Sequence, residues 1–177
     1  SILPKNINHM FFANSGSEAV DSALKIALAY YKAKGKVSKT KFIGRSRGYH
    51  GSGFGGTSVG GIVANRQQYG NLLNGVIHLP NTHIPSKNSF SWGQPKHGKE
   101  KADALNEIID FHGKDTIAAV IVEPIAGSTG VLVPPQGYLE KLRKICSEND
   151  ILLIFDEVIT GFGRVGASFA SNRLEVY

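Results

Sequence analysis

Three groups of residues have the types and spacing to do chemistry, and each also has an ordinary structural explanation. The first is Asn14-Ser15-Gly16-Ser17-Glu18, immediately before an apolar-periodic stretch. A helix starting there would aim unpaired backbone N–H groups and the positive end of its dipole at an anion. Gly16 would let a phosphate approach the backbone, and the Ser15 and Ser17 hydroxyls would add donors. Ser15 and Glu18 equally spell an S-x-x-E capping box, which needs no ligand. The second group is Gly48-Tyr49-His50-Gly51. A flat aromatic between glycines can stack on a planar ring, or simply pack in a turn. The third is a pair of acids closing apolar runs: Glu123, before Pro124, and Asp156, behind Ile151-Leu152-Leu153-Ile154-Phe155. A half-buried carboxylate is costly unless it meets a cation or a strong donor. A pyridinium N–H is one such partner and a structural arginine is another.

The elements that must position these groups read as helices alternating with strands. Residues 17–34 predict a helix with Val20, Leu24, Ala27 and Tyr31 on one face and Gly35 as its stop. Residues 41–44 and 76–79 are short strand candidates. Residues 45–61 form a glycine-rich loop too irregular for either element, and 81–97, with Trp92, form a second long loop. Residues 99–112 predict a helix with Ala102, Leu105, Ile108 and Ile109 inward. The runs 117–123 and 151–157 lack the alternation of half-exposed strands and predict central strands of a parallel sheet covered on both faces. A helix over 137–148 joins them as a βαβ unit. The expected fold class is therefore α/β, a mostly parallel sheet flanked by helices. Ligands of such sheets collect at the carboxyl ends of strands, where Glu123 and Asp156 stand.

Composition narrows the rest. The 177 residues suffice for one domain with a hydrophobic core, with no internal repeat or second boundary. No run approaches the roughly 20 apolar residues of a membrane span, and residues 1–10 lack a signal-peptide pattern. The chain opens without an initiator Met, as expected of a piece of a longer protein. The single cysteine, Cys146, excludes an internal disulfide, fits a reducing compartment and is expected in the core. Net charge is +6, and no acid stands between Asp21 and Glu100, a stretch holding twelve Lys and Arg. These are scattered, with no nucleic-acid module motif, so a solvated surface or a phosphate site is expected rather than nucleic acid. Gly51, Gly53 and Gly56 spell G-x-G-x-x-G, but no strand runs into them and no acid follows about 20 residues on. The six histidines are dispersed, so no metal site is expected, and there is no G-x-S-x-G or P-loop.

Residues 14–25 (NSGSEAVDSALK), 48–51 (GYHG), 122–130 (VEPIAGSTG) and 154–164 (IFDEVITGFGR) together resemble a class III, fold type I, pyridoxal-phosphate-dependent aminotransferase. Their order and spacing match, and the resemblance spans essentially the whole chain. Residues 44–51, 55–65 and 129–135 are most similar to the ω-amino acid:pyruvate (β-alanine:pyruvate) aminotransferases. The resemblance implies pyridoxal 5'-phosphate (PLP) as cofactor. Ser15, Gly16 and Ser17 would hold its phosphate. Tyr49 would stack on the ring with His50 beside it, and Val158 would press the opposite face. Asp156, the catalytic residue of this segment, would pair with the pyridinium nitrogen, and Glu123 would sit near the substrate side.

One departure stands out. The family forms a Schiff base with a lysine beyond the aspartate, whereas all fourteen lysines here precede Asp156. Residues 1–177 are therefore expected to be a partial large PLP-binding domain, without the lysine segment and the small domain, and inactive alone. The full-length protein is expected to be a cytoplasmic homodimer or homotetramer that uses a small-molecule amino donor and pyruvate. The alternatives are another class III enzyme (acting on ornithine, 4-aminobutyrate or diaminopelargonate), an aminomutase, or a non-catalytic homologue.

Overall fold

The computed structural model describes residues 2–4 and 7–176; Ser1, Lys5, Asn6 and Tyr177 lie outside the described residues. The first helix, α1, spans Gly16–Ala33. Ser15 is its N-cap in extended conformation, and its hydroxyl accepts the Glu18 N–H at 3.2 Å. Glu18 reaches back to the Asn14 N–H at 2.8 Å, one residue earlier than a standard box. Val20, Leu24, Ala27 and Tyr31 are buried on one face, as the 3.6-residue period requires.

The strands β1 (Lys41–Arg45), β2 (Val76–Leu79), β3 (Ile117–Val122) and β4 (Leu152–Phe155) form one parallel sheet in the order β2-β1-β3-β4. Every residue of β3 is buried, which is why its sequence shows no alternation. On one face α1 packs with Phe42, Ala118 and Ile121. On the other, Leu105 and Ile109 of α4 (Ala104–His112) and Leu142, Ile145 and Cys146 of α5 (Tyr138–Glu148) cover Ile43, Val120 and Val122. β3, α5 and β4 make the expected βαβ unit, and its register sets Val122 opposite Phe155. The chain then pairs once more, the Asp156 N–H donating to the Val122 carbonyl at 3.0 Å. Glu123 and Asp156 consequently leave the sheet side by side.

Four expectations need correction. The glycine-rich stretch contains a short helix, α2 (Phe54–Val59), whose sequence has poor helix propensity. Tertiary contacts impose it: the Asp21 carboxylate accepts the Gly56 N–H at 2.8 Å, and a Cβ at Gly44 would fall on the Val59 carbonyl. The long loop 81–97 carries a single helical turn, α3 (Pro85–Asn88), opened by its proline. The helix expected over 99–112 begins as a 3₁₀ segment, Lys99–Asp103, before α4. β4 is an edge strand among the described residues, half-buried along its length rather than central. The chain closes with α6 (Ala170–Arg173).

At the amino-terminal side of the sheet, Lys39 is buried, 2% exposed. Its ammonium donates to the carbonyls of Lys114 (2.8 Å), Ile117 (3.0 Å) and Asp150 (2.8 Å) and lies over the Tyr31 ring. Burial pulls its pKa down, but three carbonyls and a ring face are a full set of partners for a desolvated ammonium. Lys39→Met keeps most of the volume and removes all three ammonium bonds, while the Tyr31 hydroxyl still reaches the Asp150 carbonyl and the Ile117 N–H the Lys114 carbonyl. It is expected to cost about 2–4 kcal/mol, read as an earlier urea midpoint with unchanged slope.

Candidate functional site

At the carboxyl ends of the strands lies a cleft of about 200 Å³. α1 contributes Gly16 and Ser17 to its wall, the β1–α2 loop Tyr49 and His50, the end of β3 Glu123, and the segment after β4 Asp156 and Val158. Gly51, Ser128 and Ile159 complete the lining. Of the residues to which the resemblance gives a cofactor role, Ser15 alone is off this wall, its hydroxyl turned into the cap of α1.

At the α1 end the cleft has unspent donors. Among the described residues, the N–H groups of Gly16 and Ser17 have no hydrogen-bond partner, as expected of a first helical turn. Ser17 Oγ accepts the Ser52 N–H at 3.0 Å and lies 3.5 Å from Ser52 Oγ, where either hydroxyl can donate. A Cβ at Gly16 would lie 2.7 Å from Val158 Cγ2, so a larger residue would push its wall into the cleft.

At the other end, Asp156 is supported on both oxygens. Oδ2 pairs with His50 Nδ1 at 2.9 Å, and Oδ1 accepts the Val158 N–H at 3.2 Å. A carboxylate only accepts, so Nδ1 carries the proton of this bond. The His50 side chain is wholly buried, and its Nε2 has no partner among the described residues.

Glu123 is 5% exposed. Oε1 accepts the Tyr49 N–H at 2.8 Å and Oε2 the Gly127 N–H at 3.1 Å. Burial raises its pKa, while these two donors and the nearby His50 and Arg45 act to lower it.

A family model for class III aminotransferases matches residues 1–177. The chain belongs to the class III aminotransferases. It is 63% identical to an omega-aminotransferase of Caulobacter vibrioides over 99% of its length, and 51% identical to an omega-amino acid–pyruvate aminotransferase of Pseudomonas putida, also over 99%. A beta-alanine–pyruvate aminotransferase of Pseudomonas aeruginosa is 54% identical over 93% of the chain. The chain spans 40%, 39% and 37% of those relatives' lengths. Among solved structures, an amine transaminase from an uncultivated Pseudomonas species, in its PLP-bound form, superposes with a TM-score of 0.85 at 41% identity. That match covers 93% of this chain and 37% of the other.

In this class III aminotransferase chain the G-x-G-x-x-G string serves packing. A Cβ at Gly51 (φ +98°) would lie 2.5 Å from Ser17 Oγ, one at Gly53 equally close to the Asp21 carboxylate, and one at Gly56 on the His50 carbonyl. The glycines press the Tyr49 loop onto the first turns of α1. Among the described residues no cluster of three or more His, Cys, Asp or Glu side chains could hold a metal, and no helix is long and apolar enough to cross a membrane. Cys146 is fully buried, its thiol pushed up to about 12 by desolvation, so it is a core side chain. A larger cavity of about 430 Å³ lies elsewhere, along Leu153 and Phe155 of β4, with mainly apolar walls.

Several contributors escaped sequence reading. Arg45, 3% exposed, donates to the Glu123 carbonyl at 2.8 Å. Arg47 donates to the Thr129 carbonyl (2.8 Å) and accepts the Thr129 hydroxyl on its own carbonyl (2.9 Å). Glu157 accepts the Ala170 and Ser171 N–H groups at the start of α6 and does not line the cleft. These pairings join residues far apart in the chain, and no local pattern announces them.

The raised pKa of Glu123 fixes a sign. A carboxyl protonated more readily folded than unfolded contributes stability that is fully present below its unfolded pKa and is lost as pH rises through the folded value. Glu123→Gln removes this dependence. The stability of wild type relative to Glu123→Gln is therefore expected to fall as pH rises from about 4 through the raised value, measured by thermal unfolding across pH.

Proposed function

We propose that the full-length protein is a PLP-dependent transaminase that moves an amino group from an ω-amino acid or amine to pyruvate, and that this chain supplies most of the cofactor cleft. The observation that carries the reading is the pairing of two opposite binding ends in one cleft: Asp156, buttressed by buried His50, and the free N–H groups at the mouth of α1. Pyruvate as acceptor is supported by the omega-amino acid–pyruvate and beta-alanine–pyruvate aminotransferases among the Pseudomonas relatives, and the amine donor by the amine transaminase neighbour.

The residues present fit PLP. Gly16, Ser17 and the helix dipole suit a phosphate dianion, and a Cβ at position 16 would strike the Val158 side chain on the cleft wall. Tyr49, 38% exposed on the cleft wall, offers a face for an aromatic ring, and Val158 offers an apolar surface. Asp156, its side chain 7% exposed and held by a donor on each oxygen, suits a protonated ring nitrogen. When bound, PLP supplies an electron sink for the substrate carbon during amino transfer.

The chain's own part is binding and orientation. Asp156 holds a proton on the ring nitrogen by offering a buried negative charge. His50 fixes the rotamer of Asp156 and excludes water behind it. Gly16, Ser17 and the Ser17 hydroxyl anchor the far end, so the plane between Tyr49 and Val158 is defined at both poles. None of the cleft's lining residues is a lysine, so the Schiff-base lysine is assigned to the remainder of the full-length protein. The exposed apolar side chains Phe54 (70%), Tyr69 (62%) and Phe162 (81%) support a homodimer or homotetramer, and the single buried thiol supports a cytoplasmic setting.

Asp156→Ala in the full-length protein is expected to leave PLP weakly bound and to cut transamination by several orders of magnitude. Near-normal kcat/KM with an amine and pyruvate in that variant would remove Asp156 from its assigned role.

A further inference from the structure

Two loops leave the sheet edge to make facing walls of the cleft: the one carrying Tyr49 and His50 after β1, and the one carrying Gly127 and Ser128 after β3. Glu123 sits at the root between them and gives one carboxylate oxygen to each, Oε1 to the Tyr49 N–H and Oε2 to the Gly127 N–H. Its own carbonyl is held from the sheet side by Arg45. Beyond Gly127 the contact continues, since a Cβ there would lie 2.5 Å from Ile159 Cδ1 on the third wall. Tyr49, Glu123, Gly127 and Ile159 thus form one unbroken chain of contacts across the cleft.

We propose that Glu123 is a positioning residue whose carboxylate clamps the two loops together, fixing the plane of Tyr49 against the cofactor, rather than a group that contacts substrate or transfers a proton. An ionised carboxylate accepts fully at both oxygens; protonation weakens one of them as an acceptor, and an amide would turn a donor against one of the two N–H groups. The charged groups facing it are His50 from the same loop as Tyr49 and Arg45 from β1, and both favour its negative form. The net effect of burial still runs against that form, so the fold carries a cost for keeping the charge here. The return is geometric: two charge-assisted bonds set the separation of two walls. The Arg47–Thr129 pair ties the same loops a second time away from the cleft lining, so they stay together without Glu123 while the Tyr49 end loses its register.

This inference rests on the cofactor reading above, and the test separates the two. In the full-length protein, apoenzyme of wild type, Glu123→Gln, Tyr49→Ala and the double variant is titrated with PLP. Affinity, the visible circular dichroism of the bound cofactor and the melting temperature of the apoenzyme are recorded. Glu123→Gln is expected to weaken PLP by roughly tenfold, the worth of one charge-assisted bond, and to diminish the dichroism. Its apoenzyme is expected to melt no earlier than wild type near neutral pH. On the Tyr49→Ala background the same substitution is expected to cost little further affinity, because the ring it positions is gone. Glu123→Asp keeps the charge but is one methylene short of spanning both N–H groups. It is expected to repeat the loss and the coupling, and it serves if the glutamine variant does not fold. Losses that add in full across the cycle, or unchanged affinity and dichroism in Glu123→Gln, overturn the proposal. Failure of wild-type apoenzyme to take up PLP at all would instead overturn the cofactor reading.

Discussion

Two carboxylates stand at the ends of parallel strands, behind apolar runs that pull them out of water, and each must be given donors where it stands. Asp156 receives His50 and the Val158 N–H; Glu123 receives the Tyr49 and Gly127 N–H groups. An uncompensated charge at such depth would cost several kcal/mol, so these four donors are a condition of the fold as much as of the site. Satisfying them folds the loops after β1 and β3 inward, and the cleft is the space that remains. Site and scaffold are therefore one construction at this edge of the sheet.

The same loops explain the glycines. Gly51 and Gly53 let the chain after Tyr49 lie directly on α1, Gly56 lets α2 fold back onto the His50 carbonyl, and Gly44 lets α2 lie on β1. Side chains at these points would lift the loop away and take His50 from Asp156. The short α2, unfavourable by propensity, persists because Asp21 accepts its Gly56 N–H and its neighbours leave no other room. Close approach of backbone to backbone positions the polar side chains to within a hydrogen bond.

The opposite edge solves the mirror problem. There carbonyls rather than carboxylates converge, and buried Lys39 gathers three of them. A long flexible cation can serve several acceptors at once, which suits a joint between elements. Short acids with one donor per oxygen suit an edge where angles must be held. The division places adaptable chemistry at the structural end of the sheet and stiff chemistry at the ligand end.

By itself the sequence determined the α/β class, α1 with its cap, the buried β3, the β3–α5–β4 unit, and the arrival of Glu123 and Asp156 at strand ends. These follow from local period, capping and burial, which are written in neighbouring residues. The four motif segments also carried the class III resemblance, because their order along the chain is itself sequence information. Only the tertiary structure decided that β4 lies at a sheet edge among the described residues, that α2 forms among glycines, and that Ser15 is spent on its cap while Ser52 orients Ser17. It alone paired His50 with Asp156 across 106 positions and Glu123 with Tyr49 across 74. The physical reason is that such bonds depend on the register of β1, β3 and β4 and on the glycine contacts that seat one loop on a distant helix. No local propensity encodes those distances.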